Sequence, residues 1–166
     1  MAELTHFDET GASRMVDVGS KPESHRTARA SALVRMQPST LTLIHDKSVA
    51  KGDVLEVARL AGIMAAKKTA DLIPLCHPLL VGSVLVNFRI EDTYVEVEAA
   101  VDTVDRTGVE MEALTACSVA ALTIYDMCKS VDRSMVISDV ALWEKTGGRS
   151  GTYRRGPLDP ELELDL

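Results

Sequence analysis

Residues 107–129, TGVEMEALTACSVAALTIYDMCK, decide how the rest of the chain is read. The stretch opens on Thr107-Gly108, a turn signal, and then runs for about six helical turns without Pro or Gly. Ala113, Ala116, Cys117, Ala120 and Ala121 recur at helical spacing, so one face carries small side chains and lets another backbone come close. Leu114, Leu122 and Tyr125 add apolar bulk, and Ser118 is polar mid-helix. Glu110 and Glu112 stand near the start, where the helix dipole favours acids. Asp126 and Lys129, near the end, are three residues apart and hence neighbours on the helix surface. Such a pair suits proton transfer, and equally suits an ordinary surface ion pair. Spacing alone finds a packed helix with charged ends.

Upstream, Val84, Val86, Phe88 and Ile90 alternate, Glu91-Asp92-Thr93 turns, and Val95, Val97, Ala99 and Val101 alternate again, which predicts a hairpin. Before it lies DLIPLCHPLL, residues 71–80, where Pro74 and Pro78 exclude a regular helix. His77 is held on this stiff segment beside Cys76. Adjacent Cys and His give poor tetrahedral geometry, so a metal site is not expected. Further back, Val54, Val57, Ala58, Ala61 and Ala65 predict the buried stripe of a helix preceded by Lys51-Gly52-Asp53 and ending at Lys67 and Lys68. A shorter helix starts at Pro38-Ser39, with Ser39 or Thr40 as its cap. Ala28, Ala30, Ala32, Val34 and Met36 alternate as a half-buried strand. Residues 1–25 show no sustained period and read as an arm, in which Arg14 to Asp17 form a small mixed cluster able to close over something.

Downstream, Met135 to Trp143 predict a last strand. KTGGRSGTYRR, residues 145–155, then gathers cations and glycines without an acid. Its glycines free backbone amides to face an anion, and Arg149 offers a planar fork for phosphate. The Walker spacing is missing. The order strand, helices, strand, strand, helix, strand matches an α+β ferredoxin-like sandwich, with an antiparallel sheet, helices packed on one face and an extra short helix. The expected organisation is an arm at 1–25, one domain at 26–155 and an acidic, dispensable tail at 156–166.

With 46% hydrophobic and 26% charged residues in 166, the chain suits one soluble domain with a substantial core. The net charge of −7 argues against general nucleic-acid binding, and 4% aromatics are too few for base-stacking platforms. No apolar run is expected to span a membrane, and the N-terminus lacks the order of a signal peptide. Cys76, Cys117 and Cys128 include no CxxC, so a reducing cytoplasm is the default.

DLIPLCHPL, TGVEMEALTA, IYDMCK and KTGGRSG, in that order, closely resemble the cyclic pyranopterin monophosphate synthase family of molybdenum cofactor biosynthesis. The likeness runs from about Leu4 to Arg155. Arg149 stands where many relatives carry Lys and keeps the charge. The resemblance implies a ferredoxin-like lyase assembled as a homohexamer, a trimer of dimers. It further implies a 3′,8-cyclised 7,8-dihydro-GTP as substrate, with cyclic pyranopterin monophosphate and diphosphate as products. Asp126 matches the family's catalytic aspartate. Lys51, His77 and Lys129 match its other catalytic or phosphate-contacting groups. Leu75, Cys76 and His77, and Met111-Glu112 with Glu110 beside them, match its substrate-binding segments; Lys145 and Arg149 of the basic segment are expected to bind substrate as well.

Opening a purine-derived ring and closing it as a pterin takes several proton transfers, which Lys51, Asp126, Lys129 and His77 can serve. A sugar hydroxyl must also attack the α-phosphate and expel diphosphate, and Lys, His and Arg can hold that leaving group without a metal or other cofactor. Glu112 and Asp126 lie about 21 Å apart along one straight helix, so each site is expected to be shared by two antiparallel-packed chains, with the small-residue face permitting the approach. A pterin- or nucleotide-binding sensor without turnover is the main alternative; a purely structural oligomer is another.

Overall fold

The computed structural model of the protein describes residues 10–156. The expected tail lies outside the described residues beyond Gly156, as do the first nine residues of the arm. The elements are β1 (Ser24–Arg35), α1 (Pro38–His45), α2 (Val54–Ala66), α3 (Thr69–Leu72), β2 (Ser83–Ile90), β3 (Tyr94–Asp105), α4 (Glu110–Cys128), β4 (Val136–Thr146) and β5 (Tyr153–Arg154). The strands form one sheet in the order β2-β3-β1-β4-β5, every pairing antiparallel. This is the ferredoxin-like β-α-β-β-α-β arrangement. α1 and α3 are short additions to it, and β5 is a two-residue strand that the alternation pattern did not announce.

The sheet is half-buried because its strands alternate. Ala28, Ala30, Ala32 and Val34 of β1 and Val95, Val97, Ala99 and Val101 of β3 point under the helices and are buried. Small residues meet small residues there. Ala30 is paired with Ala99, and above them Cys117 of α4 bonds the carbonyl of Ala30 at 3.2 Å. α4 therefore rests close on the sheet, with Ala113, Ala116, Cys117, Ala120 and Ala121 fully buried. α2 closes over the other flank of that helix at Gly62, where an added Cβ would stand 3.0 Å from the carbonyl oxygen of Ala116 and 3.3 Å from Cβ of Ala120. The small-residue face expected to receive a second chain is thus already filled by this chain's own α2 and sheet.

Other local expectations shift for physical reasons. In α2 the buried stripe is Val54, Ala58, Gly62, Ala65 and Ala66, while Val57 is exposed. The glycine marks the face, because only it admits α4's backbone. α1 is not capped by Ser39 or Thr40: its N-cap residue is Gln37, with Pro38 at the first helical position. Thr40 is buried and bonds Asp132 instead. By length and composition α4 is also apolar enough to cross a membrane, with a mean hydropathy of 1.2, contrary to the expectation that no run would reach that length. Its position as the central core helix accounts for that composition.

Candidate active site

The proline-bounded turn after α3 and the start of α4 face each other across a cleft of about 610 Å³. Leu75, Cys76 and His77 line one wall, and Glu110, Met111 and Glu112 line the other. α3 stops at Leu72 ahead of Pro74, and the amide of Cys76 closes a turn onto the carbonyl of Ile73 at 3.0 Å, so His77 is presented by a fixed backbone. Val16, Val18 and Lys21 of the arm complete the lining. The arm is held there: Arg106 donates to the carbonyl of Gly19 at 3.0 Å.

Glu112 is the buried acid of this cleft. Burial pushes its carboxyl up to about 7, with Glu110 adding a smaller push in the same direction. Burial raises the Cys76 thiol as well, and the neighbouring Glu112 adds to the shift, so that cysteine is a poor nucleophile.

A second cleft of about 560 Å³ continues from the first, sharing Lys21, Thr107, Gly108 and Glu110 with it. Its own walls bring Arg26, Arg106 and Arg149 together with Ser24 and Ser150. Gly147 and Gly148 make this possible. Both have positive φ, at 89° and 72°, and a Cβ on Gly147 would come within 2.2 Å of the carbonyl of His25. The loop can therefore fold flat against β1 and deliver Arg149 to the cleft. The buried hydroxyl of Ser24 has no hydrogen-bond partner among the described residues. Cations on a concave wall with a spare hydroxyl form a place for a polyanion. Lys145 bonds the hydroxyl of Ser150 and supports this loop without lining the cleft.

At the far end of α4 stands a separate cluster. Lys129 donates to one carboxylate oxygen of Asp126 at 2.6 Å. Lys51, from the α1–α2 connection, donates to the main-chain carbonyl of Asp126 at 2.8 Å and lies 3.5 Å from its other carboxylate oxygen. The bonded ammonium of Lys129, then the charge of Lys51, hold the Asp126 carboxyl below its ordinary range. Asp126 is exposed, so the cluster faces outward.

Within one chain the site residues thus fall into two groups. Leu75, Cys76, His77, Glu110, Met111, Glu112 and Arg149 gather at one end of α4, and Lys51, Asp126 and Lys129 at the other. Lys21, Arg26 and Arg106 were not singled out from the sequence. They are scattered single cations in polar or strand segments, and only the fold converges them.

A model of the MoaC family matches residues 15–148. Over 157 residues, 93% of this chain and 95% of the relative, the sequence is 63% identical to a cyclic pyranopterin monophosphate synthase of Thermomicrobium roseum. A cyclic pyranopterin monophosphate synthase 1 of Mycobacterium bovis is 62% identical, over 94% of this chain and 92% of its own length. For the synthase of Heliobacterium modesticaldum the identity is 59%, over 93% and 99%. With most of its length inside the family model and such identities along almost the whole chain, this protein belongs to the MoaC family.

Proposed function

We propose that this chain is a lyase of molybdenum cofactor biosynthesis. It converts (8S)-3′,8-cyclo-7,8-dihydroguanosine 5′-triphosphate into cyclic pyranopterin monophosphate and diphosphate. The names and high identity of its relatives support the reaction. The observation that carries the site assignment is the pair of continuous clefts, one mainly apolar with a buried acid, the other cationic. A bicyclic head group suits the first, against Leu75 to His77 and Glu110 to Glu112. A triphosphate suits the second, where Lys21, Arg26, Arg106 and Arg149 offset its charge and hold the departing diphosphate.

The proton transfers need a group that gives up a proton beside one that takes it. Asp126 ionises readily and Lys129 is bonded to it, so the two form a base and an acid in contact, with Lys51 as a second ammonium. His77 serves from the cleft side. In one chain the Asp126 cluster stands too far along α4 to touch a head group seated at Glu112. A second copy, packed so that its Asp126 end meets the first copy's Glu112 end, completes each site. The small-residue face is filled, so the copy covers the stripe of Leu114, Ser118 and Leu122, of which Leu122 is 57% exposed. Three such dimers make the homohexamer, and the enzyme works in the cytoplasm.

Incubation with the cyclised nucleotide and an assay for diphosphate tests the reaction. Stoichiometric release coupled to pterin formation is the expected result. Binding without release would favour the pterin or nucleotide sensor.

A further inference from the structure

Asp132 lies just beyond the catalytic end of α4 and plays no part in the chemistry outlined above. It is 6% exposed, and its carboxylate accepts from four donors. One oxygen takes the backbone N–H of Gln37 at 2.9 Å and the hydroxyl of Thr40 at 3.1 Å. The other takes the backbone N–H of Ser134 at 3.0 Å and its hydroxyl at 2.7 Å. Burial works against ionisation, and these bonds outweigh it, so the carboxyl stays below its ordinary range. A buried charge without a cation is costly, and an apolar side chain would fill the space without that cost. The arrangement therefore does something that packing alone does not require.

It joins two pieces of chain. Gln37 is the N-cap residue of α1, and its backbone N–H, one of those left without an intrahelical acceptor at a helix start, is accepted by Asp132 from far along the sequence. α1 then leads directly into residues 46–53, the connection that carries Lys51. On the other side, the amides of Val131 and Asp132 both close onto the carbonyl of Cys128, fixing Asp132 to the end of α4 that carries Asp126 and Lys129. The connection is braced at its far end also: Lys47, at a φ of 53°, pairs with Asp53 at 2.7 Å, and Asp53 caps α2. The buried thiol of Cys128 is raised by burial and feels the charges of both Asp132 and Lys51, so the two stand within electrostatic reach of one sulfur.

We infer that Asp132 is a positioning residue for the reaction, clamping the Lys51 connection to the end of α4 so that Lys51 meets Asp126. The inference rests on the reading of Lys51, Asp126 and Lys129 as the catalytic cluster. Removing the clamp leaves the substrate clefts, at the opposite end of α4, untouched.

Asp132→Asn, of the same shape, turns an amide NH₂ towards two of the four donors, and Thr40→Val removes one donor while keeping Asp132. Asp132→Asn should lower kcat by about 10²-fold, the scale of a small misplacement of reacting groups, with KM little changed. Thr40→Val should lower it less. Amide exchange at Lys47 and Ser48, whose N–H groups bond carbonyls in the last turn of α1, and at Gly52, whose N–H bonds the carbonyl of Val49, should quicken while that of mid-α4 does not. Val97→Ala, a core change elsewhere, should lower the melting temperature without altering kcat or that exchange. If Asp132→Asn and Val97→Ala behave alike at matched destabilisation, or if exchange in the connection is unmoved, Asp132 is merely structural and the inference fails. A wild-type protein that releases no diphosphate would overturn the proposed reaction instead, and the exchange measurement would still decide whether the clamp exists.

Discussion

Lys51 reaches across from the α1–α2 connection to donate to the main-chain carbonyl of Asp126 at 2.8 Å. That carbonyl belongs to the last turn of α4, whose unsatisfied carbonyls and negative dipole end welcome a cation. Lys129 takes one carboxylate oxygen and Lys51 lies 3.5 Å from the other, so one residue organises two ammonium groups through different atoms.

Replacing Asp126 by Asn keeps the shape and the main-chain acceptor but removes the ionisable group. Turnover should fall by about 10²–10⁴-fold, as expected for loss of a positioned acid or base, with little change in melting temperature. Steady-state assay of diphosphate release checks it. Retention of more than about a tenth of the rate would exclude proton transfer by this residue.

The same contact decides how a shared site must be tested. Lys51 and Asp126 belong to one chain's cluster, so mixing a Lys51→Ala variant with Asp126→Asn after dissociation and reassembly should restore nothing. Mixing Glu112→Gln with Asp126→Asn should restore about a quarter of the wild-type rate, since random two-fold pairing leaves one intact site in half of the dimers. Failure of the second mixture, with subunit exchange proven by mass spectrometry, would rule out sites shared between copies.

Glu112 links stability to pH. Its native carboxyl titrates near 7, above the ordinary 4.5 of the unfolded chain, so between these values the folded state holds the extra proton. Stability contributed by that proton is present below about pH 4.5 and is lost as pH rises through 7, a change of up to about 3 kcal/mol. Glu112→Gln, which stays neutral, should therefore melt higher than wild type at pH 8 and similarly at pH 4.5. Calorimetric scans at the two values measure the difference. A wild type whose advantage grows with pH would contradict the assignment.

Gly62 sets the distance between α2 and α4. A Cβ there meets Ala116 O at 3.0 Å and the Val86 side chain at 3.2 Å, so Gly62→Val should destabilise by about 1–3 kcal/mol or more, despite replacing a poor helix former. Denaturant unfolding measures this directly. An unchanged midpoint would mean that the helices can part without cost.

Much of this fold is legible in the sequence because its strands alternate and its helices keep a small-residue period. Ala28 to Val34 and Val95 to Val101 need no tertiary information to be read as strands with one buried face. β5 is not legible: Tyr153 and Arg154 are too few for a period, and only pairing with Glu144 and Lys145 makes them a strand. The two wall segments of the first cleft are readable as motifs, but their meeting is not. Arg26 and Arg106 are harder still. Arg26 looks like any exposed strand residue until its guanidinium is seen bonding the carbonyls of Asp105 and Arg106 at the cleft. Asp132 gives no local signal at all, since its partners outside its own turn, Gln37 and Thr40, lie 95 and 92 residues away along the chain.

α4 carries Glu112 near one end and Asp126 near the other and so acts as a ruler. A substitution on its surface changes a contact; an inserted or deleted residue changes the measurement. One residue more or less between Glu112 and Asp126 would turn the far cluster by about 100° and shift it by about 1.5 Å, against a sheet and an α2 that hold the rest of the helix fixed. Chains that diverge from this one are therefore free to vary in the turn at 91–93, while the count of residues between those two acids stays the same.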